Sequence, residues 1–375
     1  MEVLGFLLSG IGACLGFCVE DLKIESASFY MKSLLKELVE TPGVSGQEHQ
    51  IRDKIREEVE DHADSVEEDR MGNLVARKGD GDETLMIAAH MDQIGLAVKD
   101  VDENGFIRFS KIGGVTLQSL MNQRVTIHTE TGRVTGVLGM KPPHLMDKEN
   151  RDKLPEKEQL FIDIGAEDDE EVDELGVNVG DTITFERDAK DLQNDYITGL
   201  ALDNRVGVAV SIKVLEEYEA DTELAVVFST QEEVGLKGAK TAAFNVSPDA
   251  ALAVDVSIAG DVPGIEPTET KLGTGEGVDL QMVQSSGRGL ITPETVRNWL
   301  VETAEEGDHE YIRTVMEGGA TDAAKIELVK EGIPTGSIGV PMRHMHSSTE
   351  VVKMSDVKAT AEFVTDAAES FGEKF

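Results

Sequence analysis

The sequence predicts an α/β fold in which strands buried on both faces lie between layers of helix, with a smaller β-rich segment set into the chain. Two observations predict it. Three runs, Leu85–Ala89, Leu224–Phe228 and Ala250–Val254, are apolar at every position. A strand without polar alternation is covered on both faces, as in a parallel sheet flanked by helices. Between about Val98 and Asp191 the texture changes to short alternating strands separated by glycine and charged turns, which reads as an inserted β domain. The 375 residues, 40% of them hydrophobic, suffice for two domains.

Charge narrows the function classes. The chain carries 73 acidic and 35 basic residues, a net charge of -38, and non-specific nucleic-acid binding needs the opposite sign. The acidity is dispersed, densest at Asp168–Glu174, so it does not form one disordered tail. Such a surface is expected of a halophile's cytoplasmic protein, with an acidic protein tuned to a cationic partner as the alternative. The only cysteines are Cys14 and Cys18, so the body has no disulfide framework and no thiolate zinc site.

Residues 3–19 are apolar and close in length to the core of a signal peptide. Met1-Glu2 brings no positive flank, however, and the next charges are Glu20 and Asp21. Residues 1–30 are therefore expected to be an extension outside the functional domain or a misassigned start, with a membrane anchor as the alternative. A helix is expected from Met31, with Leu34, Leu35 and Leu38 on one face. In the turn cluster Thr41–Gly46, Ser45 reads as an N-cap with Glu48 as its capping-box partner. The helix after it is expected to reach about Asp64.

Polar strands follow at 65–68 and 73–78, and then the buried strand Leu85–Ala89, which ends in His90-Met91-Asp92. Residues two apart on a strand share a face. His90 then suits a metal, with Asp92 holding its far ring nitrogen, although a lone His-x-Asp is more often structural. The insert is expected to contain strands Gly105–Ser110, Arg124–Thr129, Arg133–Leu138, Phe161–Gly165 and Thr182–Arg187, and a short acidic helix, Asp168–Leu175. His128 and His144 read as structural or surface residues. The domains are thus 31–97 with 192–375, and 98–191 as the insert.

Asp203 stands at the mouth of a helix expected at Val206–Tyr218, where a cap and a ligand are equally expected readings. The strand Leu224–Phe228 leads to Thr230-Gln231-Glu232-Glu233-Val234-Gly235. Adjacent carboxylates at the end of a buried strand are costly unless a cation compensates them; the bland alternative is a solvated pair. One such carboxylate can bind a metal while its neighbour takes a proton from the attacking water. The strand Ala250–Val254 ends in Asp255, and loops punctuated by glycine follow. Helices at Pro293–Glu305 and Asp322–Lys330 flank a strand, Tyr311–Val315, with Thr321 or Asp322 as a cap. The strand Thr335–Val340 leads to His344-Met345-His346, and a helix at Ser355–Phe371 closes the chain.

The collected strand-end residues are His90, Asp203, Glu232, Glu233, Asp255 and His346. Two imidazoles and several carboxylates without a thiolate suit a pair of Zn²⁺, Co²⁺ or Mn²⁺ ions, one carboxylate bridging them. The stretches LVETPGVSGQE (38–48), AAHMDQIG (88–95), ALDNRVGVAV (201–210), STQEEVGLKGA (229–239), AVDVSIAGDVPG (253–264), GGATDAAKI (318–326) and GIPTGSIGVPMRHMHSSTEVV (332–352) resemble, in order, those of the M42 metallopeptidases, the TET-type and glutamyl aminopeptidases. FIDIGAEDDEEVDELGVNVGDTITF (161–185) resembles that family's inserted domain.

The resemblance covers about residues 31–370. It implies a three-layer α/β sandwich around a mixed central sheet, of the zinc-aminopeptidase kind, with a small β-barrel insert used in homo-oligomerisation, often into twelve-subunit shells. It implies two divalent metal ions per subunit and peptide substrates trimmed from the N-terminus. His90, Asp203 and Glu233 would hold one ion, Asp203 bridging to a second completed by Asp255 and His346. Glu232 would be the general base and Asp92 the orienter of His90. Two places depart from the family pattern: Val256-Ser257-Ile258 after Asp255, and His344, which is expected to share a strand face with His346 as a competing candidate. His346 is the expected ligand, because it alone fits the His-Ser motif.

Two alternatives stand beside this reading. A carboxylate pair also serves an endoglucanase-type glycoside hydrolase, although the chain has a single tryptophan and 5% aromatic residues with which to stack sugars. The other is an inactive, metal-stabilised assembly subunit.

Overall fold

The structure is a computed structural model that describes residues 19–149, 153–186 and 188–375. The apolar stretch read at residues 3–19 lies outside the described residues except for Val19, where helix α1 begins (Val19–Glu40). The helix expected from Met31 therefore starts twelve residues earlier. No glycine or proline interrupts the chain until Pro42, which ends the helix by disfavouring α geometry in the residue before it. Helix α2 (His49–Val59) packs Ile51, Ile55 and Val59 inward. Strands β1 (Ser65–Glu68), β2 (Leu74–Lys78) and β3 (Thr84–His90) follow. Among the described residues no helix is long and apolar enough to cross a membrane.

Next comes a closed barrel of β4 (Gly95–Val101), β5 (Ile107–Ile112), β6 (Arg124–Thr129), β7 (Gly132–Met140), β8 (Leu160–Asp163) and β9 (Thr182–Phe185), in spatial order β4-β5-β8-β7-β6-β9. The boundary expected at Val98 falls inside β4. Inward residues at alternate positions, such as Leu96 and Val98, Ile107 and Phe109, and Val125 and Ile127, fill the barrel with its own core. The acidic helix α3 (Asp169–Glu174) is capped by Asp168, whose carboxylate accepts the Glu171 N–H at 3.0 Å.

The chain returns through β10 (Lys190–Asp191), β11 (Tyr196–Gly199), α4 (Leu202–Glu217), β12 (Glu223–Ser229), α5 (Lys237–Val246), β13 (Ala250–Ile258) and β14 (Val278–Val283). It continues through α6 (Glu294–Glu306), β15 (Tyr311–Val315), α7 (Ala323–Ile326), β16 (Thr335–Arg343), β17 (Glu350–Lys353) and α8 (Met354–Lys374). The large sheet has the order β1-β2-β12-β3-β13-β16-β17-β11-β10, with β14 and β15 branching from β16. It is mixed: β12, β3, β13 and β16 are mutually parallel neighbours, while β2 and β17 flank them antiparallel.

Both faces are covered, as the apolar runs require. Along β3, Leu85, Ile87 and Ala89 pack with the core under α1, α2, α4, α6 and α8. The alternate residues Met86 and Ala88 pack against α5 and α7. These are the three layers. The only tryptophan, Trp299, is buried between α6 and α8 against Phe371.

Candidate metal centre

Parallel neighbours deliver their carboxyl ends to one edge of a sheet, where side chains from separate strands converge. His90 ends β3, the Glu232-Glu233 pair follows β12, Asp255 lies near the end of β13, and His346 follows β16. Asp203 joins them from the first turn of α4. There it is not a cap: the turn is closed by Asn204, whose Oδ1 accepts the Gly207 N–H at 3.0 Å. The Asp203 carboxylate is thereby free for the site. The peptide between Asp203 and Asn204 is cis.

Two groups of donors share Asp203. In the first, His90 Nε2 lies 3.1 Å from Asp203 Oδ1 and 3.8 Å from Asp255 Oδ1. In the second, His346 Nε2 lies 3.4 Å from Asp203 Oδ2 and 3.6 Å from Glu233 Oε2. This exchanges two of the expected partners: Asp255 stands with His90, and Glu233 with His346. The cause is strand order. Strand β13 is hydrogen-bonded to β3, which brings Asp255 beside His90. After β12, Gln231 turns through a left-handed conformation (φ 54°), and the glutamates diverge, Glu232 Oε2 lying 3.9 Å from His90 Nε2.

His344 is exposed and belongs to neither group. The strand face expected to join it to His346 does not exist, because β16 stops at Arg343 and both histidines are left-handed (φ 61° and 58°).

Several residues hold this arrangement. The Asp92 main-chain oxygen lies 3.2 Å from His90 Nδ1, while its carboxylate stands 3.6 Å away. The carboxylate accepts the N–H groups of Glu232 (2.9 Å) and Glu233 (3.2 Å) and the hydroxyl of Ser45 (2.5 Å). Ser45 is therefore not a helix cap. Glu48 accepts from Gly46 (2.7 Å) and Gln231 (3.3 Å) N–H, so no capping box forms. Behind both lies Arg205, fully buried, with Nη2 donating to Gln93 Oε1 at 3.2 Å. Asp322 caps nothing either: it accepts the Ser229 hydroxyl at 2.5 Å, and its other oxygen has no partner.

The barrel reaches the site too. A side chain at Gly113 would press on Glu233 Oε2 at 3.3 Å, and one at Gly114 would run into the His346 ring, with Cε1 at 2.8 Å.

Burial raises the carboxyl groups of Glu232, Glu233 and Asp255 above their usual range, and neighbouring carboxylates add to the effect. Burial would likewise raise Asp203, but hydrogen bonds from His346 and His90 hold it well below. Burial would lower His90, yet Glu232, Asp203 and Asp92 raise it well above normal. His346, hydrogen-bonded to Asp203, is raised to about 9. Carboxylates thus outnumber imidazoles in a largely buried space, and divalent cations are what such a set accommodates. Its nitrogen and oxygen donors, three to a group with Asp203 in common, fit two of them.

The sequence pattern of the M42 glutamyl aminopeptidase family matches residues 72–363. The lysyl aminopeptidase of Pyrococcus furiosus is 33% identical over 334 residues, covering 87% of this chain and 93% of that protein. The structure of an aminopeptidase from the archaeon Desulfurococcus kamchatkensis superposes with a TM-score of 0.88 at 40% identity, over 92% of this chain and 95% of that one. The TET1 peptidase of Pyrococcus horikoshii, whose structure is described as assembling into a tetrahedron or a large octahedral shell, superposes with a TM-score of 0.82 at 31% identity, over 90% and 99%. Fold, donor set and sequence agree: the chain belongs to the M42 glutamyl aminopeptidase family and is a metal-dependent aminopeptidase.

Proposed function

We propose that the enzyme uses two divalent cations, Zn²⁺ or Co²⁺ with Mn²⁺ as the alternative, to remove residues from the N-termini of peptides. The observation that carries this reading is the pair of donor groups sharing Asp203. His90, Asp203 and Asp255 would hold one cation, and Asp203, Glu233 and His346 the other. When bound, the cations supply Lewis acidity, acidifying a water and polarising the scissile carbonyl.

The remaining chemistry belongs to the chain. Glu232 takes the proton of the attacking water on its carboxylate and delivers it to the leaving nitrogen. Asp92 holds Glu232 and Glu233 by their main-chain N–H groups and steadies His90 through its own carbonyl. Trp299 lies in the core and offers a sugar no stacking surface.

Aminoacyl-anilides assayed with Zn²⁺, Co²⁺ or Mn²⁺ test the reading. Release is expected only with metal and only from a free amino terminus. Turnover that survives exhaustive chelation, or cleavage of a β-glucan in its place, would sink it.

The assembly is proposed as a homo-oligomer, a twelve-subunit shell, with residues 98–191 as the oligomerisation domain, 31–97 and 192–375 as the catalytic domain, and 1–30 outside it. The TET1 peptidase structure and the barrel's separate core support this division. The charge of -38 supports a high-salt cytoplasm as its setting, because added cations screen self-repulsion. Light scattering and thermal unfolding in molar and dilute KCl examine both proposals. In molar salt the full chain is expected as a multimer. In dilute salt it is expected to unfold at a lower temperature. A chain with 98–191 replaced by a short linker is expected to be monomeric throughout. Equal stability at both salts would remove the halophilic assignment, and an unchanged mass after the deletion would remove that of the barrel.

A further inference from the structure

Glu350 opens β17, opposite Gly199 of β11, and is 1% exposed. One carboxylate oxygen accepts the Asp203 N–H and the other the His346 N–H, each at 3.1 Å. Both residues stand in strained or irregular backbone. His346 is left-handed, and Asp203 departs from helical geometry inside the first turn of α4. No ion pair to Glu350 occurs among the described residues, and the charges acting on it are those of Asp203 and Glu233. A buried anion beside two others is costly to a fold. What it provides is a tie between two backbone segments, and those segments carry the two ends of one donor group.

Asp92 makes the matching tie for Glu232 and Glu233. Two buried carboxylates thereby fix the main chain of four site residues, and both are attached to the sheet.

We propose that Glu350 is a positioning residue for the metal centre, holding Asp203 and His346 at the separation at which they share a cation. The proposal rests on the two-metal reading. It concerns the oriented backbone and not a ligand atom, since both Glu350 oxygens are already engaged.

The test is a Co²⁺ titration of the metal-free full chain and of Glu350→Gln, followed by calorimetry and visible absorption, with thermal unfolding of each form. Glutamine offers one acceptor oxygen, and its amide N–H₂ faces the second backbone N–H, so one tie is lost. Metal-free Glu350→Gln is expected to stay folded and to unfold at most slightly below metal-free wild type, because glutamine keeps the size of the side chain and one of its two ties. Its weaker Co²⁺ step is expected to lose about 10–100-fold in affinity, the usual cost of losing a group that orients metal ligands. The visible spectrum is expected to change and the Co²⁺-induced rise in Tm to shrink.

Wild-type affinity and spectrum in the variant would overturn the proposal. So would a metal-free variant that is unfolded or markedly less stable, because Glu350 would then serve the fold alone. A wild-type chain that binds no second Co²⁺ would instead overturn the two-metal reading on which the proposal stands.

Discussion

Asp203→Asn is expected to bind neither cation firmly and to hydrolyse no aminoacyl-anilide above the metal-free background. Asp203 is common to both donor groups, one oxygen facing His90 and the other His346. Asparagine has nearly the same shape, but only one of its ends accepts. Whichever way the amide turns, an N–H₂ replaces a donor oxygen at one position, and the shared negative charge is gone from both. A cation pair contributes several kcal/mol of charge stabilisation to such a reaction, so kcat is expected to fall by more than about 10³-fold. Bound metal measured by elemental analysis decides the cause, with circular dichroism to show that the fold persists. Loss of a single cation would make Asp203 a ligand of one site only. Retention of both at wild-type affinity would remove it from the centre.

What the sequence showed and what it hid follow from how far each interaction reaches along the chain. Leu85–Ala89 and Leu224–Phe228 are legible because burial on both faces leaves an unbroken apolar record in composition. His90, Glu233 and Asp255 are legible because each stands at or just past the end of such a run, whereas Asp203 stands at the start of a helix and His346 after a strand rich in small and polar residues. The grouping of the donors is not legible, since it depends on which strands are neighbours: Asp255 meets His90 because β13 lies beside β3, and nothing local records that.

Strand β14 escapes for another reason. Its Asp279 and Gln281 are wholly buried yet polar, bonded to Ser257, Thr314, Gln284 and Ser337 in a network that spans strands. Such a strand lacks the unbroken apolar run of its neighbours, since Val278 and Leu280 in the core alternate with buried polar residues. A similar ambiguity misled the reading of Ser45 and Glu48 and left a cap open as an alternative at Asp203 and Asp322. Capping a helix and reaching across the fold to a main-chain or side-chain partner call for the same short oxygen-bearing side chains. Glu350 sits in the quoted HSSTE string, but its partners, Asp203 and His346, are distant or turned by a backbone conformation that the string does not announce.

Glu232 and Glu233 are chemically identical neighbours, and their substitution is expected to fail in two different ways. Glu233 Oε2 stands 3.6 Å from His346 Nε2 within a donor group that contains Asp203, so Glu233→Gln is expected to lose metal as well as rate. Glu232 belongs to neither group, although its Oε2 lies 3.9 Å from His90 Nε2. Its main-chain N–H is fixed by Asp92 regardless of what the side chain carries. Glu232→Gln therefore keeps the backbone, the size and a hydrogen-bonding end, and loses only the capacity to accept a proton. It is expected to bind both cations while kcat falls by about 10²–10⁴-fold, the usual contribution of a positioned acid–base group. KM is expected to move little, because an interaction made only in the transition state leaves ground-state binding unchanged. Metal content and steady-state kinetics on the two variants separate the roles. If Glu232→Gln loses metal while Glu233→Gln retains it, the two glutamates exchange assignments. If both retain metal and rate, the turn after β12 is not where the proton moves.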